Sequence, residues 1–234
     1  PSRLASNQRQ SFKGLDIYGA GFLFDDSDDA ANPLIVMTEI VAKNPSSSNR
    51  IAPYIGGEEV NSSPSHSPRR YVFDLNDLSE EQAWSQQPEL MALASERVKP
   101  ERDKLRDNVD GRRLKENWWR FNCTREQLFS RICQLSNVFV VCRVSPHLSI
   151  AHVNATYKFS DSLIVFTLQG MKSLSLLQSR THEVWTRFLA SSLKSDLRYT
   201  PSDCFETFPF PAGFESNAVL DDAGQGYLNH RAQL

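Results

Sequence analysis

Three apolar runs in the second half of the chain constrain its fold more than any other feature. Each run is short, two of them are rich in Val, Ile, Leu or Phe, and the third alternates apolar with polar residues, as expected of β-strands. We expect these strands to form the centre of a sheet. The runs occupy residues 137–144, 149–157 and 162–168.

Helical patterns lie on both sides of these strands. An apolar stripe predicts a helix at about 33–43, and an amphipathic pattern predicts a longer helix from Lys172 to Ala190. The chain is therefore expected to adopt an α+β fold, with a mixed or antiparallel sheet flanked by helices. The longer helix is expected to direct five apolar side chains inward: Leu174, Leu177, Val184, Trp185 and Phe188.

The first half carries further strand signals. Residues 11–24 alternate apolar and small residues, which predicts a strand pair whose backbones approach closely at glycines. Residues 51–73 predict two strands that are joined by a polar loop. The glycines of the first segment are Gly14, Gly19 and Gly21.

Capping patterns mark where helices begin. Ser79 with Gln82, and Thr124 with Gln127, have the spacing of a capping box, in which each residue's side chain bonds the other's backbone. Pro88 is well placed to open a helix, since its fixed φ suits the first helical position.

The length and hydrophobic content bound the domain organisation. The 234 residues, 40% of them hydrophobic, suffice for a packed core. We expect one main domain over 1–214, and over 215–234 the start of a truncated C-terminal helical segment that has little to pack on. The chain begins without Met, and we expect it to be a piece of a longer protein.

Composition excludes several protein classes. No apolar run approaches the 18 residues of a membrane span, and four irregularly spaced cysteines favour reduced thiols in a cytoplasmic protein over a zinc or redox site. The formal charge of −2 argues against a general affinity for nucleic acid. The 18 arginines against 8 lysines nevertheless suit forked contacts with phosphates and guanine edges.

The sequence lacks the common catalytic signatures. Gly19-Ala-Gly21 has no third glycine for a cofactor loop, and the Asn-Pro-Pro-Tyr type of motif that holds a flipped adenine is absent. The acids at 25–29 lack calcium-loop spacing, and His182-Glu183 lacks the second histidine of a zinc protease. We therefore expect no catalytic, cofactor-binding or metal-binding residues in this chain.

Polar side chains in three regions are candidates for contacts with DNA. The turn-rich loop after Gly56-Gly57 either reaches into a groove or faces water, and the polar residues at 143–160 either read bases or form the exposed face of a strand. Cations after the long helix suit both the helix dipole and phosphates. The candidates are Asn61, His66, Arg69, Arg70, Arg143, His147, Asn154, Lys158, Lys194 and Arg198.

A basic segment at 97–120 has two interpretations. Its nine lysines and arginines can follow a phosphate backbone, or they can pair with the interleaved acids along a helix.

The order of several motifs resembles the target-recognition domain of MmeI-like restriction-modification enzymes over about residues 4–211. The resemblance implies a module that reads a short site in duplex DNA and has no activity of its own. The motifs are Phe12-x-Gly14, Pro53-Tyr-Ile-Gly-Gly-Glu-Glu-Val-Asn61, Val98-Lys-Pro-Glu-Arg-Asp103, Trp118-Trp119, Arg143-Val-Ser-x-His147, Leu177-Gln-Ser-Arg180, His182-Glu-Val-Trp185 and Arg198-Tyr-Thr-Pro-Ser-Asp-Cys-Phe-Glu-Thr-Phe-Pro-Phe-Pro211.

The resemblance also implies a parent enzyme of bacterial defence. In that family a covalently linked, adenine-specific DNA methyltransferase domain, which uses S-adenosylmethionine, precedes this region, and an endonuclease domain is present in some members. Two alternatives stay open. One is the DNA-binding part of a phage-defence methyltransferase, and the other is a protein-protein interaction domain.

Overall fold

The computed structural model describes residues 6–193 and 196–233. Among these residues, no helix is both long and apolar enough to cross a membrane. The chain forms two compact units. Unit 1 takes its described residues from Pro1–Gly14, Ile55–Ser67 and Arg125–Leu234, and unit 2 from Leu15–Tyr54 and Pro68–Thr124.

Both units contain helices and strands. The α-helices of the described residues are α1 Leu34–Lys43, α2 Gly57–Ser62, α3 Glu80–Gln86, α4 Pro88–Arg97, α5 Lys99–Asp103, α6 Val109–Glu116, α7 Glu126–Ile132, α8 Met171–Leu177, α9 Arg180–Leu189 and α10 Ala218–Arg231. The strands are β1 Ser11–Lys13, β2 Leu23–Phe24, β3 Ile51–Ile55, β4 Arg70–Phe73, β5 Asn137–Cys142, β6 Val144–Ser145, β7 Ile150–Asn154, β8 Lys158–Phe159, β9 Leu163–Phe166, β10 Ser191–Leu193 and β11 Asp196–Arg198.

The central sheet of unit 1 has the strand order β1-β9-β5-β7, and every pairing is antiparallel. All three apolar runs form strands of this sheet, and β5 and β9 lie at its centre as predicted, whereas β7 lies at one edge and, among the described strands, pairs with β5 alone. Strand β5 is apolar from Val138 to Cys142, as expected of a strand that is covered on both faces. Val138 and Val140 belong to the core on one face, while Phe139 and Val141 belong to the core on the other.

Helices cover this sheet on its two sides. Val60 of α2 and Leu128 of α7 pack in the first core, and Leu174 of α8 packs in the second. Phe205, which ends the π-helix Pro201–Phe205, also packs in the second core. This arrangement confirms the α+β fold class.

The C-terminal helix has a packing partner, contrary to our expectation. Helix α10 lies against α8, and Gly224 is buried at the contact. Tyr227 and Leu228 pack against the second core, and the Ser175 hydroxyl donates to the Leu220 carbonyl. Sequence periodicity misses this contact because a glycine, rather than an apolar side chain, forms its centre.

Unit 2 contains an antiparallel sheet in which β4 lies between β2 and β3. The predicted strand pair of residues 51–73 is thus confirmed, and so is the helix at about 33–43. The predicted strand pair within residues 11–24 is wrong, because β1 pairs with β9 and β2 pairs with β4. Close backbone approach is confirmed at Gly14, where a Cβ would lie 2.1 Å from the Ser160 carbonyl oxygen.

One of the two predicted capping boxes forms. The Gln82 amide donates to Ser79 Oγ over 3.2 Å, and the Ser79 amide donates to Gln82 Oε1 over 2.9 Å. Pro88 opens α4 as expected. The second box is wrong, because α7 begins one residue later than predicted, after Arg125 in a left-handed conformation with no side-chain cap.

Candidate nucleic-acid interface

A small three-stranded sheet in unit 1 presents a candidate arginine to solvent. Strand β11 lies between β10 and β6, and Arg198 is opposite Ser191 on one side and Val144 on the other. Leu197 turns to the buried face, so the alternation of the strand directs Arg198 outward. Among the described residues, the structure gives the Arg198 guanidinium no hydrogen-bond or ion-pair partner.

The predicted long helix is two helices, α8 and α9. Ser179 interrupts the helix and caps α9, since its Oγ accepts from the His182 amide over 3.1 Å. The new helix turns a polar pair, His182 and Thr186, to the interior. Leu174 and Leu177 are buried as predicted, but the expected inward packing of Val184 and Phe188 is wrong, because they are 55% and 83% exposed.

A buried histidine anchors α9. His182 Nδ1 lies 2.6 Å from the Leu177 carbonyl oxygen and therefore carries the proton that it donates there. In the neutral ring, Nε2 then accepts from the Tyr199 hydroxyl over 3.2 Å. Phe208 contacts the same ring with a centroid distance of 4.6 Å. The motifs around His182, Tyr199 and Phe208 thus pack together.

We expect the stability of the chain to fall as pH decreases through about 6.5. Burial is the main cause that lowers the pKa of His66, His152 and His182 from the ordinary value of 6.5. Between the folded and unfolded pKa values, the unfolded chain binds more protons, so acidification favours unfolding. The slope is at most about 1.4 kcal/mol per pH unit for each histidine.

Urea unfolding between pH 5 and 8 measures this slope. His182→Asn, which keeps a donor near Nδ1 but does not titrate, should show a shallower slope than the wild-type chain. An equal slope in the two proteins, or greater stability at pH 5, would contradict the assignment.

Helix α9 carries two exposed arginines on either side of one acid. The Glu183 carboxylate accepts a hydrogen bond from Arg180 over 2.8 Å and another from Arg187 over 2.9 Å. The bond from Arg187 is the main cause that lowers the pKa of Glu183, and the bond from Arg180 is the second. A second donor of Arg187, Nη2, bonds the Pro146 carbonyl oxygen over 3.1 Å. Arg187 therefore lies beside the exposed His147.

Arg143 forms an ion pair with Asp161 within unit 1. Its Nη1 donates to the Asp161 carbonyl oxygen over 2.9 Å and lies 3.3 Å from Asp161 Oδ2. Lys13 lies 3.0 Å from the same carboxylate. The side chain of Arg143 is 25% exposed. The proposal that Arg143 reads bases stays a prediction, and it requires this guanidinium to leave Asp161.

Two other candidates lie near the end of the central sheet. Asn154 is exposed, but its Oδ1 accepts from both the amide and the hydroxyl of Thr156, each over 2.8 Å. It therefore shapes the turn between β7 and β8. Lys158 Nζ lies 4.4 Å from the centre of the Phe129 ring. Their contacts with DNA remain predictions.

The loop after Gly56-Gly57 differs from the expected polar loop, because its first residues form α2. Asn61 is exposed on this helix, and its Oδ1 accepts from the Cys142 thiol over 3.3 Å. His66 is only 7% exposed, and its Nδ1 bonds the Ser63 carbonyl oxygen over 2.8 Å. The expected exposure of His66 is therefore wrong, because the ring is turned inward and is buried, and its contact with DNA stays a prediction.

The remaining loop candidates belong to unit 2. Arg69 is exposed. Arg70 begins β4, where its guanidinium lies 5.4 Å from the Tyr54 ring centre and its Nε lies 3.9 Å from Asp25 Oδ2. Arg70 thus has partners within its own unit.

Most cations of the basic segment also have internal partners. Lys104 pairs with Glu101 over 2.9 Å, and Arg112 pairs with Asp107 over 3.0 Å. Arg102 is buried. These contacts favour the ion-pair interpretation of residues 97–120 over a track for phosphates.

The structure places three arginines in one exposed area, namely the candidate Arg198 and its neighbours Arg180 and Arg187. We call it the α9 surface and define it by the exposed residues of α9 together with His147, Ser191 and Arg198. Lys194 lies outside the described residues. Sequence reasoning missed Arg180, Arg187 and Phe188 as surface residues, although the capping signal of Ser179 would have revealed the helix break.

Comparisons with known proteins give one family and one fold. The family described as "MmeI, target recognition domain" matches residues 28–212. A solved structure of the Type IIL restriction-modification enzyme MmeI in complex with DNA matches with a TM-score of 0.73 and 20% sequence identity, over 100% of this chain and 28% of that chain. This chain therefore spans less than a third of the length of that enzyme. No curated protein sequence matches the chain.

Proposed function

The chain belongs to the MmeI target recognition domain family, and from this membership we propose that it recognises a short sequence in duplex DNA through the α9 surface. One observation carries the choice of surface: Arg198 is exposed and has no partner among the described residues, whereas Arg70 and Arg143 are engaged internally. An unpaired, forked guanidinium suits both guanine edges and phosphates.

The proposal extends to the parent protein. The module would position an adenine-specific DNA methyltransferase domain, with S-adenosylmethionine as the methyl donor of that domain, and would act in the cytoplasm. Endonuclease activity would belong to a further domain. The recognition module contributes shape and hydrogen-bonding groups, and bond-making chemistry belongs elsewhere.

Selection from a pool of random DNA duplexes by the 234-residue chain tests the proposal. The expected result is one enriched short sequence, with an affinity that falls steeply between low and moderate salt, because cation contacts release counterions from the duplex. An unenriched pool together with salt-independent binding would contradict the proposal and favour a protein-protein interaction domain.

We expect Arg198→Ala to weaken binding to the enriched duplex about 5- to 100-fold, the loss of one good arginine contact. Fluorescence anisotropy titrations measure the change. Arg131→Ala removes the same charge from the exposed face of α7 and serves as the matched control, with little expected effect. If the two variants bound the duplex with equal affinity, Arg198 would not contact the DNA.

A further inference from the structure

Helix α9 exposes an apolar pair that the fold does not use. Val184 and Phe188 are four residues apart, so they lie on the same face of the helix. Their exposed fractions are 55% and 83%, whereas His182 and Thr186 on the opposite face are fully buried. Little of the Phe188 side chain packs within its own unit, and an exposed apolar pair of this kind favours a contact with another molecule.

Cations border this apolar pair. Arg187 is fixed beside His147 by its bond to the Pro146 carbonyl oxygen. The chain passes from α9 directly into β10, where Ser191 is opposite Arg198. The described residues of α9 and β11 carry three arginines, Arg180, Arg187 and Arg198, against the acids Glu183 and Asp196. Glu183 pairs with both Arg180 and Arg187, so the excess over these two acids is one positive charge, and Arg198 is the arginine of the three without a partner among the described residues. An apolar centre beside this positive excess complements a polyanion that carries apolar groups between its phosphates.

The major groove of DNA has this chemistry, since thymine presents a C5-methyl group there between two phosphate backbones. The ten residues of α9 are about 15 Å long, and the groove is wide enough to admit a helix. Resting on the proposed function, we propose that α9 enters the major groove, where Phe188, supported by Val184, contacts a thymine methyl group and thereby determines part of the recognised sequence.

Replacing single thymines by deoxyuridine in the enriched duplex tests this contact, because only the methyl group is lost. For the wild-type chain, one replacement is expected to lower the affinity about fourfold, the effect of exposing one methyl group. For Phe188→Ala, the same replacement should have no effect. Val219→Ala, which truncates a 74% exposed apolar side chain on α10, should retain the wild-type sensitivity.

The possible outcomes separate this inference from the proposed function. If a sequence is enriched but no thymine replacement matters, or if it contains no A·T pair, the methyl contact is wrong while the recognition function stands. Unchanged thymine sensitivity in Phe188→Ala also overturns the inference, and full DNA affinity in that variant would assign the α9 face to a protein contact. If no sequence is enriched and binding ignores salt, the recognition function itself fails.

Discussion

Gly224→Ala is expected to destabilise unit 1 by at least about 2 kcal/mol, the cost of overpacking a rigid contact. A Cβ at this position would lie 2.2 Å from the Met171 carbonyl oxygen. Because that oxygen belongs to the backbone of α8, it cannot move aside as a flexible side chain would. The variant must therefore separate α10 from α8 or distort one of the two helices.

Gly226→Ala is a matched control on the same helix. A Cβ at Gly226 would meet nothing within 4 Å, and alanine has the higher helix propensity, so this variant should gain about 0.5–1 kcal/mol. Free energies of unfolding from urea titrations measure both changes. The packing of α10 on α8 would be contradicted if the two variants changed stability in the same direction.

Arg102→Ala is expected to destabilise unit 2 by about 3 kcal/mol or more, since a buried side chain is removed and three carbonyl groups lose their charged donor together. Arg102 is 1% exposed, and burial is the main cause that lowers its pKa from 12.5 to about 10, so it remains charged at neutral pH. Its Nη2 donates to the carbonyl oxygens of Ile17 and Tyr18 over 3.0 and 3.2 Å. Nη1 donates to the Asn117 carbonyl oxygen over 3.4 Å.

Arg112→Ala provides the comparison for Arg102. Its guanidinium is exposed and pairs with Asp107, and such surface pairs contribute less than about 1 kcal/mol. Chemical unfolding followed by tryptophan fluorescence suits this test, because Trp118 and Trp119 lie in unit 2 and are buried. A similar loss in both variants would mean that the internal bonds of Arg102 contribute little.

Local patterns predicted the elements whose signal is contained within a few neighbouring residues. Ser79 and Gln82 form their capping box because both partners lie within one helical turn. Within the run at 137–144, the five apolar residues from Val138 to Cys142 form a strand whose two faces are both buried. Thr124 and Gln127 show the limit of this reasoning, since a left-handed Arg125 starts the helix one residue later and the spacing of the box no longer applies.

The candidate site was predicted less well, because exposure and pairing depend on distant residues. Arg198 and Arg143 carry the same functional group, yet Asp161 engages Arg143 while Arg198 has no partner among the described residues. Nothing near His66 in the sequence indicates that its ring turns inward. Phe188 looked like a core residue because the apolar pattern was followed along one continuous helix, whereas Ser179 begins a separate helix that buries His182 and Thr186 instead.

The sequence by itself predicted the three apolar strands of the central sheet, the position of α1, the starts of α3 and α4 and, through its ordered motifs, the family. These depend on backbone geometry and on side chains within a turn or two of each other. Only the tertiary structure decided that α9 buries His182 and exposes Phe188, and that α10 packs against α8 at Gly224. Those outcomes depend on which surfaces meet, because a hydrogen bond to Tyr199 or a carbonyl oxygen of Met171 comes from a distant part of the chain.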